Sequence, residues 1–482
     1  MGVDVLLYVL GVLVLVLGLA VSIALHELGH LIPAKIFKVE VTRYMIGFGP
    51  TLWSRRRGET EYGVKAIPLG GYIAMTGMYP PGEDDDEAPS RSSTTGFFNA
   101  LVQEGSAMPA GEGGPLGHAS AAGSSAPASR EIVPGRSLPR AASPATPAGP
   151  SAVPDRSFYR LAVWKRVIVM LGGPFMNLVL ATVTLGIILM GFGSPVATTT
   201  IASVSQCLVP AGSAQSQCGP GDAQAPAATA GIQPGDTIVA IDGVQNPSWD
   251  QVSAAIEGNA GSTIPVVVER GGERVSLSLT PALTAKAVYD SSGRPVKGAD
   301  GATRTQDVGM AGITPTSTMQ QQPVTAVLPA VGDALGQTVN LVMGLPQRLV
   351  DVWNAAFGGG ERDPNGPMSV VGVGRVAGEI AASDQAPVSA RVQGMLGLVA
   401  SLNIALFVFN LVPLPPLDGG HIVVALFDGA RRGLARLFKR RDPGPVNGAR
   451  LVPVTLTIVV ILGAMSLLLM YADIVNPVNL LG

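Results

Sequence analysis

Long aliphatic stretches, almost free of charge, are set into a chain that is otherwise rich in Gly, Pro and small polar residues. Crossing a bilayer as a helix takes roughly 20 apolar residues, and four stretches meet that length: 1–34, 165–193, 392–427 and 451–475. The pattern predicts a polytopic α-helical membrane protein with about four transmembrane helices. No basic leader precedes the first stretch and no small-residue cleavage site ends it, so it reads as a retained span.

Between the spans the texture changes. Residues 40–76 hold β-favouring runs punctuated by glycine on either side of Arg55-Arg56-Arg57-Gly58-Glu59, which predicts a β-hairpin or small sheet. Residues 79–156 open on Glu83-Asp84-Asp85-Asp86-Glu87 and continue in Pro, Ala, Gly and Ser. Such a segment buries too little apolar surface to offset its ordering entropy, so a disordered cytoplasmic insert is expected. Residues 197–283 read as short strands, hairpins and one helix, a compact α/β unit, and 284–328 read as a polar linker. Over 329–358 the apolar positions recur at helical spacing. That fits an amphipathic juxtamembrane helix, or equally one packed against the third span.

Only 14% of the 482 residues are charged, too few for an ordinary soluble protein of this size. The net charge of −2 gives no sign of a nucleic-acid partner. Placement of the basic residues says more. Lys35, Lys38 and Arg43 follow the first span, Arg156 to Arg166 precede the second, and Arg431 to Arg450 fill a basic loop at 428–450. The positive-inside rule makes those two loops cytoplasmic, with both termini and the α/β unit outside. Cys207 and Cys218 fall in that outer region, where an oxidising compartment permits a disulfide; two unpaired thiols are the alternative.

The chemistry is concentrated where the first span ends, in His26-Glu27-Leu28-Gly29-His30. Two histidines four residues apart lie one turn apart on one helix face and can share a Zn²⁺ ion, with Glu27 rotated beside them as a general base. Ionisable groups at the end of an apolar span are costly unless they bind something. A catalytic zinc needs a third protein ligand. The best candidate is Asp418, which follows the apolar run of the third span behind the helix breakers Pro413, Pro415 and Pro416. Asn410, just upstream, offers donor and acceptor groups to a peptide backbone. His421 could be a further ligand but suits a supporting place better, since three ligands complete a catalytic set.

These motifs in this order (HELGH, Gly-Gly-Pro-Phe-Met-Asn at 172–177, Asn410 to Pro413, Leu417-Asp418-Gly419) resemble the site-2 protease family of intramembrane zinc metalloproteases. Residues 231–243 of the outer unit resemble a bacterial, circularly permuted PDZ domain. Such a domain binds extended peptides or chain ends on a sheet edge; a β-rich cap without a ligand is the alternative. The resemblance implies one zinc ion on His26, His30 and Asp418, Glu27 as base, and Asn410 with Pro413 engaging and unwinding a substrate helix. It makes 40–76 a membrane-reentrant β-hairpin that pairs with substrate. It also implies cleavage of single-pass membrane proteins such as anti-sigma factors after an earlier ectodomain cut, in regulated intramembrane proteolysis. The active site would then lie in the plasma or inner membrane, near its cytoplasmic face.

Overall fold

A computed structural model describes residues 2–78, 92–94, 156–208, 218–219, 224–288, 296, 298, 304–359, 362–363, 366–444, 446 and 452–478. Among the described residues, five helices are long and apolar enough to cross a membrane: Val3–Ile36, Val163–Phe192, Val324–Met343, Val388–Asn410 and Val452–Val475. The first leaves Val3, Leu6, Val9, Leu10, Leu13 and Leu17 between 48% and 68% exposed, an aliphatic surface suited to hydrocarbon.

Three expectations need correction. Residues 329–358 are not one amphipathic helix. Val327–Met343 contains a single charge, Asp333, and its extended segment reaches a mean hydropathy of 1.2; Gly344 and Pro346 end it, and a separate amphipathic helix, Leu345–Phe357, follows. The third span stops at Asn410 and does not run to 427, because Pro413, Pro415 and Pro416 have no N–H to give a helix. A new helix, Asp418–Leu437, starts after the break and continues through much of the expected 428–450 loop. The 284–328 linker contains three strands among its described residues: Ala282–Ala287 (β9), Thr305–Met310 (β10) and Ile313–Gln320 (β11), the last with three β-branched threonines that supply strand propensity without hydrophobicity. Of the insert at 79–156, Ser92–Thr94 (β3) pairs with residues 74–76. Arg156 is described too, and the rest lies outside the described residues.

Contacts divide the chain into two compact units. One comprises 23–176 and 410–464. In it Val41–Arg57 (β1) and Thr60–Thr76 (β2) meet twice, because β1 bends at Gly47 and Gly49, whose φ values of +90° and +83° suit glycine. Tyr44 to Ile46 pair antiparallel with Ile73 to Gly71, and Thr51 to Arg57 with Lys65 to Thr60. Residues 43–46 also lie beside 61–64 with numbers rising together. The expected hairpin is therefore a hairpin folded over on itself. Its core joins Val41, Ile73 and Met75 to Leu31, Ala34, Val169 and Met170. The turn is tied down by Arg156, which donates through two guanidinium nitrogens to Glu59, both at 2.8 Å.

The other unit comprises 1–22, 177–409 and 465–482. Its sheet runs in the order β11, β4 (Ser194–Val204), β5 (Thr237–Ile241), β7 (Ile264–Arg270), β8 (Glu273–Leu279), with β6 (Val244–Gln245) on β5 and β9 paired to β10. Alternation in β7 points Ile264, Val266 and Val268 inward, against Val252 and Ile256 of the helix Trp249–Gly258, which Ser248 and Gln251 cap reciprocally. Asp236 is 1% exposed and satisfied: it accepts from Arg270 Nε and Nη2 and from the Gln233 N–H, each at 2.8 Å. The Arg270 guanidinium beside Asp236 holds its carboxyl below the usual carboxylate range. Cys207 and Cys218 are joined through sulfur with Cα atoms 5.9 Å apart. A cleft of about 440 Å³ opens between that helix and residues 308–313, lined by Leu208, Trp249, Ile256, Glu257, Met310 and Ile313.

Candidate metal centre

The helix Gly2–Ile36 brings His26 and His30 onto one face, with Nε2 atoms 3.2 Å apart. Asp418, the first residue of its helix, completes a triangle. Its Oδ2 lies 3.3 Å from His26 Nε2 and 3.4 Å from His30 Nε2. These are the only three His, Cys, Asp or Glu side chains that the described residues gather at metal-binding spacing.

The triangle passes a test of fit. Donors about 2.0–2.2 Å from a tetrahedral zinc stand roughly 3.3–3.5 Å from one another, and the edges here run from 3.2 to 3.4 Å. Asp418 Oδ2, buried, makes no hydrogen bond of ordinary geometry among the described residues. A buried carboxylate oxygen left in that state is costly, and a cation would satisfy it. His30 is fully buried, and its Nδ1–H donates to the Val169 carbonyl at 2.8 Å. That bond fixes the tautomer that turns the Nε2 lone pair toward the other two donors. His26 keeps 12% of its side chain exposed, so the triangle is not sealed.

Glycines make the assembly possible. A Cβ on Gly29 would stand 2.1 Å from the Gly172 carbonyl oxygen, and one on Gly172 would stand 2.0 Å from that of Gly29. The two helices therefore touch backbone to backbone. On Gly173 a Cβ would lie 2.2 Å from His30 Nε2, inside the space of the donors. Gly71 of β2 is packed similarly: a Cβ there would be 3.2 Å from Glu27 Cγ. Glu27 is 4% exposed, adjacent to His26 on the helix. Behind the break, Cβ atoms on Gly419 and Gly420 would meet the backbone of Val412 and Pro415 at 2.4 and 2.6 Å, so these glycines let the turn fold against the start of Asp418's helix.

Asn410 ends the third span and is half-buried, and Pro413 is exposed within the break. His421, one turn after Asp418, is not one of the three gathered donors. Sequence reasoning missed Gly173, Gly71 and the Val169 carbonyl; the Gly172-Gly173 pair was visible as a motif, but a small residue has no chemistry to announce its role. It also missed Asn403, fully buried in the third span, which donates to Ser22 Oγ of the first at 2.9 Å.

A model of peptidase family M50 matches residues 14–440. The chain is 32% identical over 485 residues to the zinc metalloprotease Rip1 of Mycobacterium tuberculosis H37Rv, covering 98% of this chain and 99% of that protein. It is 31% identical to Rip1 of Mycolicibacterium smegmatis over 98% of each chain. The metalloprotease MmpA of Caulobacter vibrioides is 27% identical over 87% of each.

Proposed function

The chain belongs to peptidase family M50, the site-2 protease family of zinc metalloproteases, and from that premise we propose that it hydrolyses a peptide bond in or beside the membrane span of a single-pass protein. A membrane protease of this family acts on a membrane protein, and the long apolar helices fit a multi-pass membrane protein. The observation that carries the finer reading is the His26–His30–Asp418 triangle, set at the end of an apolar helix with a buried carboxylate, Glu27, one residue from its first ligand.

His26, His30 and Asp418 would hold the ion. When bound, zinc supplies a Lewis acid that polarises the scissile carbonyl and makes water more acidic. Glu27 takes one proton from the attacking water as its oxygen adds to the carbonyl carbon, then passes that proton to the amide nitrogen as the C–N bond breaks. Val169 holds His30 in register throughout. A helical substrate hides its carbonyls in its own hydrogen bonds, so it must be unwound first. Asn410 and Pro413 meet the substrate chain there, and the folded-over β1–β2 sheet offers it a strand to pair with.

Residues 197–283, with the strands β4 to β8, are read as a PDZ-like extracytoplasmic domain. The cleft beside Trp249–Gly258 and the edge position of β11 support its binding an extended peptide or chain end. The Cys207–Cys218 disulfide belongs on that oxidising side. The basic residues on both sides of the β1–β2 sheet and after Asp418 support a catalytic centre near the cytoplasmic face, with both termini outside. An anti-sigma factor already trimmed by another protease is the substrate class that fits this topology, in regulated intramembrane proteolysis.

The test is co-expression with a pre-trimmed single-pass substrate, comparing the wild type with Glu27→Ala. Release of the cytoplasmic fragment is expected to stop while bound zinc is unchanged. Release at the wild-type rate by the alanine variant would sink the assignment.

A further inference from the structure

The helix Asp418–Leu437 carries more than Asp418. It is amphipathic and is not among the five helices apolar enough to cross a membrane. One face is buried, through Asp418, Gly419, Gly420, Ala425 and Asp428. The opposite face is a bare stripe at helical spacing: Val423, Leu426, Phe427, Leu434 and Leu437, continued by Phe438, are between 46% and 75% exposed. The chain then presents Arg436, Lys439, Arg440 and Arg441 to solvent with no ion pair to another described residue. Their neighbours Arg431 and Arg432 are already committed, Arg431 to the Gly444 carbonyl and Arg432 to Asp428 and Asp442 at 3.4 and 3.8 Å.

An exposed apolar stripe ending in a cluster of cations is the profile of a helix lying in the bilayer interface, with its stripe among acyl chains and its cations on acidic headgroups. We propose that the C-terminal half of Asp418–Leu437, with residues 438–441, binds anionic phospholipid headgroups, so that the surface charge of the bilayer bears on the helix whose first residue is Asp418. The middle of the helix is rigidly held. Arg166 Nη2 donates to the buried Asp428 at 2.9 Å, and a Cβ on Gly429 would meet Val163 at 2.8 Å. The inference rests on membrane residence and not on proteolysis.

The experiment places a fluorescent probe at Leu437→Cys, with the Cys207–Cys218 pair kept oxidised, in the full chain reconstituted into phosphatidylcholine vesicles with or without about 30% phosphatidylglycerol. The probe is expected to be quenched by a lipid-attached quencher and shielded from the neutral quencher acrylamide, and the shielding to deepen with phosphatidylglycerol. Each cation near an anionic leaflet contributes a preference of roughly fivefold or less, screened by salt, so 0.5 M NaCl should abolish the response. The variant R436Q/K439Q/R440Q/R441Q should keep the quenching by lipid and lose the response to phosphatidylglycerol. Free glycerol 3-phosphate at millimolar concentration should change nothing. A probe open to acrylamide in both membranes overturns the proposal, as does a lipid response that survives neutralisation of the four cations. A response reproduced by free glycerol 3-phosphate also overturns it, as a site for a soluble phosphate.

Discussion

Asp236, just before β5 in one unit, and Asp418, at the start of the helix Asp418–Leu437 in the other, are both buried carboxylates, 1% and 4% exposed. Their surroundings differ in kind. Asp236 is fully answered by protein donors: two guanidinium nitrogens and a backbone N–H at 2.8 Å. Asp418 turns Oδ2 toward two imidazole nitrogens at 3.3 and 3.4 Å and forms no ordinary hydrogen bond there. A carboxylate that only holds a fold together is satisfied by the fold. At Asp418 the shortfall lies at metal-binding spacing from two imidazole nitrogens, where a cation would answer it. The same contrast separates the glycines: Gly231 and Gly235 serve a turn through positive φ, whereas Gly172 and Gly173 are helical and serve by leaving room.

The contrast breaks most visibly at Asp418. Asp418→Ala removes the carboxylate of the proposed zinc ligand, and zinc affinity is expected to fall by more than the 10–100-fold that losing an outer-shell partner typically costs. Equilibrium dialysis against a zinc chelator measures this directly. Affinity within about threefold of the wild type, below even that outer-shell range, would return Asp418 to the same class as Asp236.

A smaller effect is expected from Gly173→Ala. The added methyl would stand 2.2 Å from His30 Nε2, so the imidazole must leave the triangle although the chain keeps every ligand. Zinc affinity should drop about 10- to 100-fold, the loss seen when the orientation of a ligand is spoiled. Gly191→Ala is the control, since a Cβ there meets nothing within 4 Å. At the helix contact, Gly172→Ala places a methyl 2.0 Å from the Gly29 carbonyl oxygen. Alanine would otherwise favour a helix by up to about 1 kcal/mol, yet overpacking a rigid contact costs about 1–3 kcal/mol. Thermal unfolding in detergent should therefore show a net loss; a gain in stability would mean that the two helices separate freely.

The sequence made the chemistry legible because it is written in costly residues. A His-Glu-His cluster at the end of a span and an aspartate behind three prolines stand out against an aliphatic background, and His26, His30 and Asp418 lie together at metal-binding spacing. Small and polar positions were harder to read. Gly173 matters for what it lacks, and β9, β10 and β11 read as linker because they lack the hydrophobic alternation that marks a half-buried strand. The Asp418–Leu437 helix was hidden for the opposite reason. Its apolar stripe was absorbed into the preceding span and its basic end into a loop, although the prolines at 413, 415 and 416 marked the boundary.

The gentlest way to sharpen the comparison is Asp236→Asn. With its folded-state pKa depressed by Arg270, Asp236 contributes stability that is fully present above the carboxylate's unfolded pKa and is lost as pH falls through the lower folded value. The sheet unit should therefore hold its stability from neutral pH down to about the ordinary carboxylate range and lose this contribution below it. The asparagine variant lacks the titrating group, so it should be less stable at neutral pH and its acid dependence should flatten. Hydrogen exchange of the 237–241 amides in the full chain, followed from pH 7 to pH 3, reads both changes. Zinc content should stay at the wild-type value at neutral pH, because Asp236 has its partners within its own sheet. If the asparagine variant instead lost zinc, the division between a carboxylate that holds the fold and one that holds the ion would fail.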